Sequence, residues 1–229
     1  ETLSVPQSME ELTMQAEQAV RRQLADGVTR LQLECQLPVT QTAQYDYSGM
    51  NPSNRMPSST KDEYEAAKDM AVGVMRRLSG KSRVVYRRID DGLESDPVGL
   101  LTNEELRAVV FPTADTLRQI RDLDRDSKPL LLVNPQWKTN GNLVSDFGIG
   151  PWKQRAEGFI RRFMVAYSVE ESRIGNPSSV DPRIAKDSGV VWVLHAFPGT
   201  WQVNLIVPQG DGRAGTSLLA RVRSRPDYR

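Results

Sequence analysis

The sequence predicts a single α/β domain around one mixed sheet, mostly parallel β-α-β units with a C-terminal antiparallel hairpin. Three observations carry that prediction. Leu130 to Val133 are apolar without alternation, as in a strand covered on both faces, and Pro135 stops the run abruptly. Amphipathic helical patterns alternate with strand-sized apolar runs up to residue 165. Beyond them, Val190 to Ala196 and Trp201 to Val207 are separated only by Phe197-Pro198-Gly199-Thr200, which is hairpin spacing.

The first helix is signalled by Ser8-Met9-Glu10-Glu11, a capping box, and by Leu12, Ala16, Val20 and Leu24 at i+4 spacing. Asp26-Gly27 ends it. Arg30 to Leu37 alternates, with Leu31, Leu33, Cys35 and Leu37 on one face and Arg30, Gln32, Glu34 and Gln36 on the other, which predicts a strand with one wet face. Residues 39–59 are polar and marked by Gly and Pro, and read as a long surface loop. A second capping box, Thr60-Lys61-Asp62-Glu63, opens a helix that Gly80 closes. A short strand follows at Arg83 to Arg87, then an acidic loop over residues 89–101, and Thr102-Asn103-Glu104-Glu105 has the pattern of one capped helical turn. A strand at Ala108 to Phe111 and a helix carrying Leu117, Ile120 and Leu123 lead into Leu130 to Val133, a β-α-β unit. After a glycine-rich stretch from Lys138 to Gly150, Pro151 suits the first helical position, with Trp152, Ala156, Phe159, Ile160 and Phe163 facing inward. A strand over Met164 to Val169, a polar loop over 170–188, the hairpin, a turn at Gly210-Asp211-Gly212 and a basic edge element at Ser217 to Val222 complete the chain. No linker divides it, so it reads as one domain over residues 1–229, with the tail 208–229 variable.

Charge and composition narrow the function classes. The 30 basic and 29 acidic residues nearly cancel, which does not fit a nucleic-acid binder with a basic face. The longest apolar runs are strand-sized, far short of the ~18 residues that span a bilayer as a helix. Cys35 is the lone cysteine and lies on an apolar strand face, which suits a small buried hydrophobe in a reducing compartment. One His and one Cys make no zinc constellation and no nucleophile pair, so no metal, cofactor or catalytic residue is assigned. Local basicity is confined to the C-terminus, where Arg221, Arg223 and Arg225 read either as a solvated strand edge or as a patch for an anionic partner.

Familiar motifs fail. Gly80-Lys81-Ser82 has Met75 where a phosphate loop needs glycine, and a strand rather than a helix follows it. Asp146-Phe147-Gly148 lacks the other parts of a kinase. What remains is a crevice at two consecutive strand ends, supplied by Thr113 and Asp115 on one side and by Asn134, Gln136 and Trp137 on the other. These residues read either as turn and packing residues, or as a partner or ligand site with Trp137 as anchor.

The run Asp26 to Pro38, the stretch Phe111-Pro112-Thr113-Ala114-Asp115 and the turn Val133-Asn134-Pro135-Gln136-Trp137 together resemble a family known mainly as a domain of unknown function in plants, algae and cyanobacteria. The resemblance extends over about residues 4 to 207, and Asn134-Pro135-Gln136-Trp137 is its most specific piece. That family includes the Low-PSII-Accumulation type of photosystem II assembly protein, and the same domain is appended to a chloroplast adenylate kinase. The resemblance implies a non-catalytic auxiliary or assembly factor, in the stroma or peripheral on the stromal face of the thylakoid. It implies protein subunits of a thylakoid complex or its insertion machinery as partners, and no cofactor. The alternative is a small-molecule or nucleotide-binding module using the strand-end crevice.

Overall fold

The structure, a computed structural model, describes residues 3–37, 59–80, 82–90, 96–139, 142–143, 147, 150–176, 178–186, 188–208 and 214–226. The expected loop over 39–58, the turn at 210–212 and most of the glycine-rich stretch lie outside them. The elements in order are α1 (Met9–Ala25), β1 (Arg30–Cys35), α2 (Thr60–Ser79), β2 (Val85–Arg88), β3 (Gly99–Thr102), β4 (Arg107–Val110), α3 (Leu117–Leu123), β5 (Leu130–Val133), β6 (Lys138–Thr139), β7 (Asn142–Leu143), α4 (Pro151–Ile160), β8 (Met164–Ile174), α5 (Pro182–Lys186), β9 (Gly189–Ala196), β10 (Trp201–Pro208) and β11 (Ala214–Val222). Nine strands form one sheet in the order β11-β10-β9-β8-β1-β5-β4-β3-β2, and β6 and β7 pair separately.

The α/β class holds, but the sheet is not mostly parallel. Only β4·β5, β5·β1 and β1·β8 are parallel, against five antiparallel pairings at the two wings. Parallel pairing needs a crossover of a dozen or more residues, and the wings instead turn back on themselves. The sharpest case is Thr102-Asn103-Glu104-Glu105, expected as a helical turn. Asn103 Oδ1 accepts from the backbone N–H groups of Glu105 and Leu106 at 3.0 and 2.9 Å, an Asx turn that joins β3 to β4. Thus Gly99 to Leu101, expected in a loop, is strand, and β8 runs on to Ile174 through part of another expected loop.

Local chemistry sets the helices as their sequences dictate. Ser8 Oγ accepts from the N–H of Glu11 at 3.1 Å, and the Glu11 carboxylate returns to the N–H of Gln7 at 2.9 Å. The cap of α2 falls on Ser59, one residue earlier than expected, with Asp62 N–H donating to its hydroxyl. Both helices pack on one sheet face, where Leu12, Ala16, Ala67, Met70 and Val74 meet Leu31, Leu33, Leu131 and Val133. On the opposite face, α3 and α4 cover Leu130, Leu132 and Val109 with Leu117, Ile120, Phe159 and Ile160. A third cluster, Val191, Val193, Trp201, Val203 and Leu205, lies on β9 and β10, and no helix residue belongs to it.

Two details position the chemistry that follows. First, β1 sits between β5 and β8 in mid-sheet, so its expected wet face is not wet: Gln32 and Glu34 are buried. Second, the β1·β8 register shifts between Gln32 and Leu33, leaving Ala166 as an extra residue in β8. That bulge puts Ser168 opposite Glu34, and with it Glu170 on the same face; an unbroken ladder would have placed Ser168 opposite Cys35.

Gly99 tests how tightly the α2 face is packed. A Cβ there would collide with the Tyr64 hydroxyl and come within 3.0 Å of the Tyr86 ring. Gly99→Ala is expected to lower stability by about 1–3 kcal/mol in chemical denaturation, and the loss should shrink when measured in a Tyr64→Phe background, which removes the colliding atom. An equal loss in both backgrounds would show that the collision is not its cause.

Candidate functional site

The strand-end crevice is built mainly as a structural corner. Asn134 adopts φ 48, a left-handed conformation that Asn tolerates better than most residues. From there its side chain acts as an extra rung of the sheet: Oδ1 accepts from the Cys35 N–H and Nδ2 donates to the Cys35 carbonyl, both at 2.7 Å. Gln136 is exposed, its N–H donating to the Pro112 carbonyl and its amide to the Asn134 carbonyl. The Thr113 N–H donates to the Thr116 hydroxyl at 3.1 Å, and Asp115 is exposed beside it.

Trp137, expected as a partner anchor, has no exposed surface. It packs in the α3/α4 core edge-on to Phe147, with ring centres 6.3 Å apart. The exposed indole belongs instead to Trp152 of α4, expected inward but 72% exposed, with the Arg155 guanidinium 5.4 Å from its ring centre. Ala156, Phe159 and Ile160 supply the buried stripe of α4; Trp152, four residues before Ala156 on the same stripe, lies in the first turn, where none of the helix's buried residues falls.

The three C-terminal arginines separate. Arg221 and Arg223 are exposed, whereas Arg225 turns in over the sheet. Its Nη1 pairs with Glu34 of β1, its Nη2 with Glu170 of β8, and its guanidinium lies 5.2 Å from the Trp201 ring centre. Trp201 is also stacked on His195, with centroids 4.6 Å apart and planes 14° from parallel. The cross-strand register aligns Glu34, Ser168 and His195 on β1, β8 and β9. Gln32 donates its amide to Glu34. Within this cluster Gln32 Oε1 and Ser168 Oγ are buried without a hydrogen-bond partner among the described residues.

Burial governs the protonation of these groups. It pushes the Glu170 carboxyl above the ordinary range, against the pull of Arg225. It likewise raises the Cys35 thiol, helped by Glu170 and Glu34. It lowers His195, opposed by the Val165 carbonyl, Glu34 and the Thr200 carbonyl. Among the described residues, no group of three His, Cys, Asp or Glu side chains is arranged to hold a metal ion.

A family model described as a domain of unknown function, DUF1995, matches residues 6–229. The chain belongs to the DUF1995 family. No curated protein and no solved structure matches it.

A further concavity of the DUF1995 domain lies on the opposite face. A cleft of about 610 Å³ lies between α1 and the β9–β10 turn, lined among others by Met14, Gln18, Arg22, Pro198 and Thr200. Gln15, also in its wall, accepts a hydrogen bond from the buried Tyr167 hydroxyl at 2.8 Å. Neither the cleft nor the Arg225 cluster emerged from sequence reasoning. Polar residues on alternating strand positions, here Gln32, Glu34 and Ser168, read as solvent-facing unless the strand order is known. The usable signal was His195 inside an otherwise apolar strand, with Trp201 across the hairpin.

Two outcomes follow. Asn134→Ala removes both bonds to Cys35 and places Ala at positive φ, with an expected loss of about 2–4 kcal/mol in denaturant unfolding. Asn134→Gly keeps the conformation accessible and should lose less. His195→Phe keeps the ring stack but cannot take a proton. Because folding depresses the pKa of His195, the folded state resists protonation, and wild-type stability falls as pH drops below the unfolded value of about 6.5. The difference between wild type and His195→Phe should therefore shrink towards acid pH; a pH-independent difference would remove His195 from the account.

Proposed function

We propose that this DUF1995 chain is a non-catalytic assembly or auxiliary factor that docks on a thylakoid membrane complex of photosystem II type from the stromal side. The observation that carries the docking part is the exposed Trp152–Arg155 pair on α4. Trp and Arg are the residues that most often anchor protein interfaces, because one presents a large rigid surface and the other a planar, weakly hydrated charge. Around them, α4 and the two residues after it carry Lys153, Arg155, Arg161 and Arg162 against Glu157, which favours an acidic partner face. The photosynthetic part rests on the resemblance of the Asp26–Pro38, Phe111–Asp115 and Val133–Trp137 segments to the assembly-factor family. A location in the chloroplast stroma or at the stromal face of the thylakoid, or the cyanobacterial equivalent, follows from it. Peripheral membrane contact through the same basic helix accords with this reading. No helix among the described residues is long and apolar enough to cross a membrane.

The cleft beside α1 favours a second reading, a small-molecule or nucleotide-binding module. Its volume of about 610 Å³ suits a ligand of metabolite size. A thermal-shift screen against nucleotides and plastid metabolites separates the two. A saturating ligand at a hundredfold excess over its dissociation constant would add about 2.7 kcal/mol of stability, whereas the docking reading expects a flat screen.

The docking reading is tested by titrating purified complex with wild-type protein and with Trp152→Ala and Arg155→Ala variants. Each variant should bind about tenfold or more weakly with an unchanged melting temperature. Undiminished binding by both would remove α4 from the interface.

A further inference from the structure

We propose that Glu34, Glu170 and the face of Trp201 form a guanidinium-recognition site, occupied in this chain by its own Arg225 and open to exchange with the same group from outside. The geometry matches a planar cation on three sides. One carboxylate from β1 and one from β8 take different guanidinium nitrogens, and the indole ring lies 5.2 Å from the guanidinium carbon. A guanidinium carries five donors in a fixed plane and stacks on aromatic faces, whereas an ammonium offers three donors from a point and no plane.

A second, independent observation points to a ligand beyond Arg225. Buried polar atoms almost always have partners, yet among the described residues Ser168 Oγ and Gln32 Oε1 have none. Gln32 and Ser168 are fully buried, and Ser168 lies in register between Glu34 and His195. Both atoms can accept a hydrogen bond. Arg225 therefore leaves acceptor capacity unused, and an untethered guanidinium with the same five donors is free to turn towards it.

The occupant is also held in a way that permits exchange. The β10·β11 ladder ends at Val222, and among the described residues the backbone of 223–226 makes no backbone hydrogen bond to another element. Releasing this segment breaks side-chain contacts and no ladder. A tethered group competes at an effective concentration in the millimolar range, so an external guanidinium must be supplied at that level or bind more tightly. The shared chemistry fits two sources, an arginine side chain of a partner protein or a free guanidino compound.

The test uses the full chain labelled with ¹⁵N. The Arg225 Nε–H resonance, assigned by its absence in Arg225→Lys, is followed while ethylguanidinium, an amide-capped Gly-Arg-Gly peptide or butylammonium is added at constant ionic strength. Saturable displacement of that resonance by the two guanidinium ligands, with butylammonium inert, supports the site. Tighter action by the peptide assigns a protein partner, and tighter action by ethylguanidinium assigns a small guanidino compound. No displacement at tens of millimolar, or equal displacement by butylammonium, overturns it. As a second measurement, ethylguanidinium should raise the melting temperature of Arg225→Ala, or of Arg225→Lys if the alanine variant does not fold. The rise should vanish when Glu34→Gln is added. A rise that persists with Glu34→Gln places the ligand elsewhere and also overturns the proposal.

Discussion

The fold is organised around a carboxylate in the wrong place. Glu34 lies on the central strand of a nine-stranded sheet, flanked on both edges by hydrogen-bonded neighbours. An unpaired ion at such a position costs several kcal/mol even after the protein relaxes. The chain must therefore bring a cation to mid-sheet, and it does so from a residue 191 positions away in sequence. That requirement ties the end of the chain to its first strand. It also draws on β8 and β10, because Glu170 pairs with the same guanidinium and Trp201, itself stacked on His195 of β9, lies across it.

The two halves of the sheet use different physics. Around β4, β5 and β1, both faces are covered by helices, and apolar side chains fill the space between. This is the half whose closing corner is made by Asn134, through a side chain that imitates backbone. Across β8 to β11, the face opposite α1 has no helix among the described residues. Its valines, Leu205 and Trp201 form their own cluster, with Arg225 across the indole. Replacing a helix by one charged side chain leaves such a face thinner, and less strongly held, than its neighbour.

What was legible in the sequence follows from which signals are local. Caps at Ser8, the glycine after α1, the apolar run of β5 and the Pro151 start of α4 are written within a few residues, and each appears in the structure. The Asx turn at Asn103 was misread because Asn followed by acidic residues fits a helix cap and a hairpin turn equally. Trp152 was placed inward by a helical count that ran one turn too far. The larger misses were non-local. Whether the polar face of β1 is wet depends on strand order, and strand order depends on connections that periodicity does not record. The C-terminal arginines were noticed as a group, but only the fold distinguishes Arg225 from Arg221 and Arg223.

The extra residue at Ala166 has a consequence for how this chain can vary. Side-chain direction along a strand is a matter of parity, and β8 changes parity at that point. Residues before it keep step with β1 in one phase, and residues after it in the other. Losing Ala166 itself would straighten the ladder and leave Ser168 opposite Glu34, whereas closing the bulge with every residue retained would turn Ser168 and Glu170 towards the helices and bring Tyr167 and Val169 out beneath Arg225. Point substitutions in β8 are thus graded in their effects, while a one-residue slip of the register beyond Ala166 inverts the sheet surface. Register, more than composition, is the property of this strand that the polar cluster depends on.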